Sequence, residues 1–408
     1  MSGFLHRACP VCRGISGEVL HQQRLVVPDQ FPHPRVFDVR ACSDCGMVYA
    51  NPAPDPVAMD HYYATELEFR SESVSGSTES VPLPWEVDRL TGVADLIAEV
   101  IPHLHARVLD IGCGNATLLT QLRTRGFREM VGIDPSQAAV EAGRRLQLDT
   151  RPGTLANLPP DLGMFDLVIL SHVLEHLSDP DEALSRCLAL LRTNGVLYVE
   201  VPDASRFSDF VQLPFIEFNT EHVNYFSGTS LSRLAARRGL ECIRLDQKVF
   251  SLQPGIDYPG VSGFFRAARP RPGGARDDDL PEAMRSYVRT STELAARIDH
   301  NLEIALVGAR EVAVRALGNV AWTLLAVTHL AELQIVAYLD GSPSKKRLTI
   351  AGRAVLDPGT PVRADVPVVV LSLQHEESIV REIEGSDPER RIVRLSRLLD
   401  RSPRTLGS

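Results

Sequence analysis

Glu221 and His222 stand side by side in the segment TEHVNYFS, which runs from Thr220 to Ser227. A carboxylate beside an imidazole can remove a proton from a substrate, because histidine titrates near neutral pH and a neighbouring carboxylate raises its basicity. The same pair can also be a polar turn that packs against the core. We take His222 as the candidate general base and Glu221 as its supporting carboxylate, and the surrounding elements must decide between the two interpretations.

The N-terminal part of the chain contains two C-x-x-C pairs, Cys9 with Cys12 and Cys42 with Cys45. Two thiolate pairs on tight turns provide the four soft ligands of a tetrahedral zinc site, and this spacing favours metal over disulfides in a cytoplasmic chain. Cysteine fills all four ligand positions, so we predict a structural zinc ion without a catalytic role. A short proline-rich segment with little core of its own needs such a site to hold its fold.

The stretch VLDIGCGNATLL predicts a strand, a glycine-rich turn and the start of a helix. Gly112 and Gly114 let the backbone approach a ligand, at a helix N-terminus that favours negative charge. Asp110, just before the glycines, could accept a cationic amino group. Asp134 ends the next predicted strand, about twenty residues beyond the turn, at a distance that suits binding of the ribose hydroxyls of a nucleoside cofactor.

Predicted strands and helices alternate along the centre of the chain, which is typical of a doubly wound, mostly parallel sheet. The predicted strands include EMVGID, FDLVILS and VLYVEVP, and the predicted helices include WEVDRLTGVADLIAEVI, PSQAAVEAGRRL and DEALSRCLALLRTNG, the last ending at Gly195. We expect TEHVNYFS to lie just after the fifth strand. The carboxyl ends of the strands meet at one edge, so the candidate residues should be neighbours there.

A second series of elements follows the stretch ARPRPGGARDDD, which is rich in Pro, Gly and charge. We expect a long amphipathic helix over LPEAMRSYVRTSTELAARIDHNLE, a strand at IALVGARE, an apolar helix through LLAVTHLAEL, and strands at QIVAYLDGSP and VPVVVLSL. The predicted fold class is α/β, with an N-terminal zinc-knuckle segment, a central Rossmann-like domain and a second, C-terminal Rossmann-like domain. The expected boundaries are residues 1–70, 71–270 and 271–408, and the polar stretch SESVSGSTES at the first boundary is predicted to be a loop.

Two motifs of the central domain resemble those of class I S-adenosylmethionine (SAM) methyltransferases. The D-x-G-x-G order of Asp110, Gly112 and Gly114 resembles the first motif of that superfamily, and FDLVILSHVLEHLSDP resembles its fourth-strand motif. The resemblance implies that the central domain is a class I methyltransferase domain that binds SAM. It also implies that Ser171 and His172 lie near the methionine half of the cofactor.

The order of motifs along the whole chain is similar to that of one family, the zinc-containing C-methyltransferases that act on nucleotide-linked deoxysugars and related natural-product intermediates. The shared order is four cysteines, a SAM motif, an E-H-x-x-x-F segment and a C-terminal Rossmann-like domain. In that family the four cysteines bind zinc, and the histidine that matches His222 is taken as the base that removes a proton next to a ketone. The resemblance implies C-methylation of a small, nucleotide-sugar-like or natural-product substrate, which the C-terminal domain helps to hold.

Some positions depart from these patterns and leave the acceptor open. Ala116 stands where methyltransferases often have a third glycine, and Asn219 stands where the sugar enzymes often have tyrosine. The stretch VFSLQPGIDYPGVSG lacks their His-Gly-Gly motif, and the C-terminal turn reads Gly308-Ala309-Arg310. An O- or N-methyltransferase of natural-product biosynthesis, which needs only a weak base, is therefore the alternative. An RNA methyltransferase and a non-catalytic binding protein are further, less favoured alternatives.

Composition limits the classes of partner. The chain has 408 residues, too many for one hydrophobic core, and its net charge of -9 argues against broad contact with nucleic-acid phosphates. No apolar run approaches the ~20 residues that span a bilayer, and the N-terminus MSGFLHRACPVC lacks the apolar region of a signal peptide. We therefore expect a cytoplasmic enzyme that acts on a small molecule, with no membrane partner, and the sequence does not define its oligomeric state.

Overall fold

The computed structural model describes residues 4–65, 82, 84–253, 256–269 and 274–400. The predicted loop SESVSGSTES lies outside these residues. The chain divides into two compact units: unit 1 is Met1–His21, Asp38–Phe210 and Glu221–Ser286, and unit 2 is Gln22–Phe37, Val211–Thr220 and Tyr287–Ser408. None of the described helices combines the length and the hydropathy that a bilayer crossing requires.

Within the residues that the structure describes, unit 1 contains thirteen strands and six α-helices, and a seventh α-helix begins there. The strands are β1 (Phe4–Leu5), β2 (Gly17–Arg24), β3 (Val36–Cys42), β4 (Val48–Asn51), β5 (Ala53–Pro54), β6 (Val108–Ile111), β7 (Met130–Asp134), β8 (Asp149–Pro152), β9 (Phe165–Ser171), β10 (Leu191–Pro202), β11 (Asn224–Tyr225), β12 (Leu240–Gln253) and β13 (Ile256–Ala267). The helices are α1 (Pro56–Thr65), α2 (Pro84–Val100), α3 (Thr117–Thr124), α4 (Gln137–Arg145), α5 (Pro180–Leu190), α6 (Gly228–Arg237) and α7 (Asp279–Ala305). Strands β2 and β3 and helix α7 continue into unit 2.

A seven-stranded sheet forms the centre of unit 1, in the order β12-β13-β10-β9-β6-β7-β8. The five strands from β10 to β8 are parallel, and β13 runs antiparallel to both of its neighbours. Side chains of β6 alternate between two cores, with Leu109 and Ile111 in one and Val108 in the other. Helices therefore cover both faces, as the alternating pattern predicts, and Asp110 shares a face with Val108.

Helix α5 ends earlier than predicted. We expected it to continue to Gly195, but it ends at Leu190, and β10 begins at Leu191. Leu191 pairs with Phe165 of β9, and the register then shifts before Val196. Pairing with the central sheet thus overrides the helical pattern of this stretch.

A smaller sheet, in the order β11-β4-β3-β2, is built on the N-terminal segment. Its edge strand β11 comes from TEHVNYFS and pairs antiparallel with β4, placing Asn224 opposite Tyr49. We expected TEHVNYFS just after the fifth strand, but a 3-10 helix (Ala204–Phe210) and residues 211–219 of unit 2 come between. The residues 211–219 carry aromatic side chains that pack within unit 2, where the rings of Phe218 and Tyr287 are 5.1 Å apart.

The turn after the second cysteine pair contacts a segment far along the chain. Gly46 has a positive φ of 79°, and a Cβ atom there would lie 1.8 Å from the carbonyl oxygen of Asp277. The backbone N–H of Asp277 donates to the carbonyl of Cys45 at 3.0 Å, and its side chain accepts hydrogen bonds from Ser227 and from the N–H of Leu280. Only glycine fits at position 46, because both the φ angle and the close carbonyl exclude a side chain.

Unit 2 contains a six-stranded sheet in the order β16-β17-β15-β14-β18-β19. Its strands are β14 (Glu311–Arg315), β15 (Gln334–Leu339), β16 (Thr349–Ile350), β17 (Arg353–Leu356), β18 (Val368–Val370) and β19 (Ile392–Arg394), and its further helices are α8 (Asn319–Val327), α9 (Glu376–Ser386) and α10 (Leu395–Leu399). All neighbouring strands are parallel except β16, which is antiparallel to β17. The sheet is therefore rich in parallel pairs, as expected for an α/β unit.

The first strand of unit 2 does not lie where we predicted it. The stretch IALVGARE was expected to be a strand, but α7 extends to Ala305 and β14 begins at Glu311. The buried side chains Leu294, Ile298, Leu302 and Leu306 are four residues apart, so the apolar face of the helix continues into this stretch. The turn between the first strand and its helix is consequently residues 316–318, and not Gly308-Ala309-Arg310.

Candidate active site

The glycine turn of unit 1 has the backbone that the sequence predicts. Gly112 and Gly114 have positive φ angles of 76° and 52°. A Cβ atom on Gly112 would lie 2.6 Å from Val173 Cγ2, whereas one on Gly114 would meet nothing within 4 Å. The Val173 side chain thus leaves no room for a side chain at position 112. The space beside Gly114 is open.

Asp134, at the end of β7, holds this turn in place. Its Oδ2 accepts a hydrogen bond from the N–H of Gly114 at 2.8 Å, and its Oδ1 accepts one from the N–H of Ser136 at 2.9 Å. The side chain is buried, and burial raises its pKa, although both backbone bonds oppose that effect. Each carboxylate oxygen keeps a lone pair, so the group can also accept from a ligand hydroxyl.

Asp110 is a buried carboxyl group that has neither a hydrogen-bond donor nor a direct ion pair within the described residues. It is 2% exposed and receives no hydrogen bond from the described residues. Burial raises the pKa of this carboxyl to about 7, the charge of Asp134 adds to the rise, and Arg89 opposes it. An unsatisfied buried carboxyl beside an open glycine turn fits a ligand that brings a cationic group.

Ser171 ends the neighbouring strand β9, His172 follows it, and both residues bond to Glu200 on β10. The Ser171 hydroxyl donates to Glu200 Oε2 at 2.8 Å, and the backbone N–H of His172 donates to the Glu200 carbonyl at 2.9 Å. The His172 Nδ1 atom lies 3.1 Å from Glu175 Oε1. Burial lowers the pKa of His172 to about 4, and the positive charge of Arg89 adds to this, so the imidazole is neutral at pH 7.

The Glu221–His222 pair lies beside Glu175 and His176, which follow β9. The imidazole centroids of His176 and His222 are 5.0 Å apart, and side-chain ligand atoms of Glu175, His176 and His222 all lie within 4.8 Å of one another. Glu221 is buried and accepts a hydrogen bond from Tyr62 at 3.3 Å. The pair is therefore part of a cluster of ionisable side chains, and Glu175 also links this cluster to His172.

The cluster is fixed by contacts that the motifs alone did not indicate. His176 Nδ1 lies 3.2 Å from the carbonyl oxygen of Glu221 and 3.1 Å from the Tyr63 hydroxyl. Glu175 is 1% exposed, and burial raises its pKa to about 7. The signal for Glu175 and Glu200 was present in the sequence, since each is a charged residue inside an otherwise apolar stretch.

The four cysteines of the N-terminal segment lie together in unit 1. We call Cys9, Cys12, Cys42 and Cys45 the four-cysteine cluster. The sulfur atoms of Cys9 and Cys45 are 3.5 Å apart, those of Cys12 and Cys42 are 3.4 Å apart, and all four lie within 4.8 Å of one another. Tetrahedral zinc with Zn–S bonds of about 2.3 Å separates its sulfur ligands by about 3.8 Å, so the cluster fits such an ion with small adjustments.

Comparison with known proteins identifies the central part of unit 1. Residues 86–245 match the family described as "Methyltransferase domain", and this range includes the glycine turn, Asp134 and the Glu221–His222 pair. This part of the chain is a methyltransferase domain. The prediction of a methyltransferase is thus confirmed for this domain. The zinc-containing C-methyltransferase family stays a prediction.

The curated relatives match this methyltransferase domain over a limited length. The ubiquinone biosynthesis O-methyltransferase of Rhodopseudomonas palustris (strain HaA2) is 38% identical over 99 residues, which are 23% of this chain and 38% of that protein. A probable S-adenosylmethionine-dependent methyltransferase of Mycolicibacterium smegmatis is 33% identical over 133 residues, which are 31% of this chain and 50% of that protein. The chain thus spans half or less of the length of these relatives.

Solved structures with a similar arrangement include two methyltransferases. The magnesium protoporphyrin IX methyltransferase from Synechocystis PCC 6803 with bound SAH is 16% identical, and the match covers 52% of this chain and 100% of that chain with a TM-score of 0.39. The CcbJ methyltransferase from Streptomyces caelestis is 14% identical, and the match covers 51% of this chain and 98% of that chain with a TM-score of 0.38. Neither likeness bears on the substrate of this chain.

Proposed function

We propose that this protein transfers a methyl group from SAM to a small biosynthetic intermediate, with His222 as the general base. The observation that carries the proposal is the cluster formed by Glu175, His176 and His222 within the same unit as the glycine turn. His172 extends the cluster to the end of β9. Groups that can take a proton from an acceptor thus lie in the unit that carries the cofactor motifs.

Residues of unit 1 offer complementary groups for the ammonium, the ribose and the methionine end of SAM. Asp110 would hold the ammonium group, because it is buried and receives no hydrogen bond from the described residues. Asp134 would accept from the ribose hydroxyls, and the Gly112–Gly114 turn would contact the methionine end, with Ser171 and His172 beside it. When bound, SAM supplies an electrophilic methyl group on a sulfonium.

The contacts around His222 support its proposed role as a base. The ring of His176 contacts that of His222, and its Nδ1 lies 3.2 Å from the Glu221 carbonyl oxygen, a contact that fixes the orientation of the ring. Glu221, bonded to Tyr62, would support the charge that develops on His222 when it takes a proton. In a carbon acceptor, His222 would remove the proton next to a ketone and leave an enolate, which is the chemistry that the motif order implies.

O-methylation is the second candidate, and the relatives favour it. The first-named relative is called an ubiquinone biosynthesis O-methyltransferase. A hydroxyl acceptor releases its proton only as the new bond forms, so it needs a weaker base than a carbon acceptor does. The same cluster would serve, with His222 receiving the hydroxyl proton.

A His222→Asn variant tests the role of His222. Removing a positioned base typically costs ~10²–10⁴ in rate, so turnover, measured as S-adenosylhomocysteine formed with a panel of ketone and phenol acceptors, should fall by that order. SAM affinity and the far-UV circular dichroism spectrum should stay unchanged. His105→Asn is the matched control, since His105 is an exposed histidine of the same unit, and it should keep full turnover. Full turnover in His222→Asn would show that the Glu221–His222 pair is a packed turn and not the base.

Solvent isotope exchange separates the two acceptor chemistries. In D₂O without SAM, the wild type should exchange the acidic C–H of a ketone acceptor, and His222→Asn should not. An oxygen acceptor gives no such carbon exchange in either protein. Methyl transfer without any carbon exchange in the wild type would therefore favour O-methylation.

We also propose that zinc occupies the four-cysteine cluster and that unit 2 is a Rossmann-like, substrate-binding domain. Asp340 follows β15 and accepts from the N–H of Leu317 at 2.7 Å and of Ser342 at 2.9 Å. These bonds repeat those that Asp134 makes with its own glycine turn. Lys345 also contacts Asp340, at 3.1 Å, so a nucleotide-linked acceptor would meet a positive charge there. The boundaries 1–70, 71–270 and 271–408 remain part of this proposal.

A further inference from the structure

Arg7 is a partly buried cation of the N-terminal segment whose role the motifs do not explain. Its Nε donates to the carbonyl oxygen of Ala50 at 3.2 Å, and its Nη2 donates to that of Val223. Its Nη1 donates to the carbonyl oxygen of Ser178 and to Asn224 Oδ1, both at 2.9 Å. All four acceptors are neutral oxygen atoms, so these bonds hold neighbouring segments in place and do not neutralise an acid.

Arg7 joins the two segments that carry the imidazoles of the candidate active site. Val223 directly follows His222 in the chain, and Ser178 lies two residues beyond His176. The donors of a guanidinium lie in one plane at fixed separations. A single side chain that bonds to both backbones therefore sets the distance between the segments from which the two rings project.

Asn224 completes the connection between these segments. Its Oδ1 accepts from Arg7, and its Nδ2 donates to the carbonyl oxygen of Leu174 at 3.0 Å and to that of Leu177 at 2.7 Å. The two ends of an amide have nearly the same shape, but one accepts and the other donates. The bond from Arg7 thus fixes the oxygen on its own side and turns the donors of the amide towards the segment that follows β9.

The backbone from which Arg7 projects is itself held in unit 1. The N–H of Arg7 donates to Asn51 Oδ1 at 3.2 Å, and Cys9, two residues further on, belongs to the four-cysteine cluster. Arg13, just after the first cysteine pair, contacts the buried Asp181 at 3.1 Å. Attachments on both sides of the first cysteine pair thus give the Arg7 side chain a fixed starting point.

We infer that Arg7 is a positioning residue for methyl transfer, which holds the backbone next to His222 in place relative to His176. The inference rests on the proposed function, in which His222 is the general base. A base must lie within hydrogen-bond reach of the proton that it removes, and a misplacement of about 1 Å can cost about 10²-fold in rate. Arg7 acts through carbonyl and amide oxygens, so its loss would displace the base without removing it.

The test replaces Arg7 by methionine, which keeps an apolar stem and removes every side-chain donor. With the ketone or phenol acceptor that the wild type methylates, Arg7→Met should lower kcat by about 10- to 100-fold. The acceptor KM, and the SAM affinity in calorimetry, should stay within about twofold of the wild-type values. Arg7→Lys keeps the charge but has one donor nitrogen, which cannot reach both segments as the fork does, so its loss of kcat should be smaller.

Arg125→Met is the matched control. Arg125 is also a partly buried arginine of unit 1, and it donates to the carbonyl oxygens of Thr91 and Gln121, both at 2.9 Å. These acceptors lie on α2 and α3, which carry no residue of the Glu175, His176 and His222 cluster. Arg125→Met should therefore keep the wild-type kcat even where urea unfolding shows a similar loss of stability.

Two measurements separate positioning from a general loss of structure. In a His222→Asn background the base is already absent, so Arg7→Met should cause no further loss of kcat. In protein with ¹³C-labelled histidine, the Cε1–H resonance of His222, assigned by its absence from His222→Asn, should shift in Arg7→Met and not in Arg125→Met. If Arg7→Met does not fold, Arg7→Lys replaces it in both measurements.

The outcomes distinguish this inference from the function on which it rests. Equal losses of kcat in both backgrounds, or an unchanged kcat and resonance, overturn the assignment of Arg7 and leave the proposed function standing. Full turnover in His222→Asn alone overturns the proposed function, and the inference with it.

Discussion

Replacement of Asp110 by asparagine should stabilise the cofactor-free protein and weaken its binding of SAM. The carboxyl group is 2% exposed, and burial together with the charge of Asp134 raises its pKa from 3.8 to about 7. Asparagine has nearly the same shape and carries no charge at any pH. The variant therefore isolates what the buried charge costs the fold and what it contributes to the ligand.

The stability effect has a definite sign and pH range. An acid whose pKa is raised by folding loses stability as the pH rises from its unfolded value to its folded value, because the folded state holds a proton that the unfolded state has released. For a pKa that moves from 3.8 to about 7, this loss is about 4 kcal/mol, complete above pH 7 and absent below pH 3.8. Asp110→Asn should recover up to that amount at pH 8 and little at pH 4, as measured by urea unfolding.

The binding effect runs in the opposite direction. Only the ionised carboxyl attracts an ammonium group, and with a pKa of about 7 its ionised fraction rises from about 0.09 at pH 6 to about 0.91 at pH 8. SAM should therefore bind the wild type about tenfold more tightly at pH 8 than at pH 6, a difference of about 1.4 kcal/mol. In Asp110→Asn the affinity at pH 8 should fall and the pH dependence should vanish.

The control for this prediction is Glu175→Gln, because burial also raises the pKa of Glu175 to about 7. This variant should keep the tenfold rise in SAM affinity. If Glu175→Gln abolishes the rise and Asp110→Asn keeps it, the ammonium has been assigned to the wrong acid. A variant Asp110→Asn that is less stable than the wild type at pH 8 would refute the argument that the carboxyl is buried without compensation.

Three further predictions concern other parts of the chain. Purified protein should contain about one zinc per chain, as measured by atomic emission. Cys12→Ser should lose the metal, whereas Cys242→Ser, at an exposed cysteine outside the four-cysteine cluster, should keep it. A folded, zinc-free protein after mild chelation would contradict the proposal. Asp134→Ala should weaken SAM binding by ~1–3 kcal/mol in calorimetry, and unchanged affinity would mean that the nucleoside lies elsewhere. Asp340→Ala should raise the KM for the acceptor and leave SAM affinity unchanged, and an effect on SAM alone would argue against a substrate-binding role of unit 2.

The central domain was predictable because its sequence signals are local and repeated. Strand β6, the glycine turn and Asp134 lie where the alternation of apolar strands and amphipathic helices predicts them. The two glycines adopt the positive φ angles that such a turn requires, and Asp134 bonds back to Gly114. These features depend on residues that are close together in the sequence, so one sequence is enough to predict them.

The errors arise where distant contacts override local patterns. The helical pattern of α5 extends beyond Leu190, but Leu191 pairs with a strand twenty-six residues earlier, at Phe165. The stretch Ile304–Val307 looks like a strand by composition, whereas its leucine spacing follows the buried face of α7. Periodicity over four residues cannot separate the two, and the length of the preceding helix should have been given more weight.

The candidate site was only partly accessible from the sequence. His222 was singled out, but its neighbours Glu175 and His176 come from a different segment, and only the fold shows that their side chains lie within 4.8 Å of one another. Arg89 and Glu200 pair across 111 positions, and no local motif marks such a pair. Residues that meet through tertiary structure leave no spacing signature in one sequence.

The contact between Gly46 and Asp277, and the pairing of β11 with β4, have a consequence for how the protein is made. The ribosome has added all four cysteines of the cluster once it adds Cys45. The edge strand β11 of the smaller sheet begins only at Asn224, and Asp277 is added later still. At ~5–20 residues per second, the interval between Cys45 and Asn224 is roughly 10–40 s. During synthesis the four thiols are therefore present before β11 and Asp277 are. A metal ion then has time to bind them before these later segments pack against β4 and Gly46.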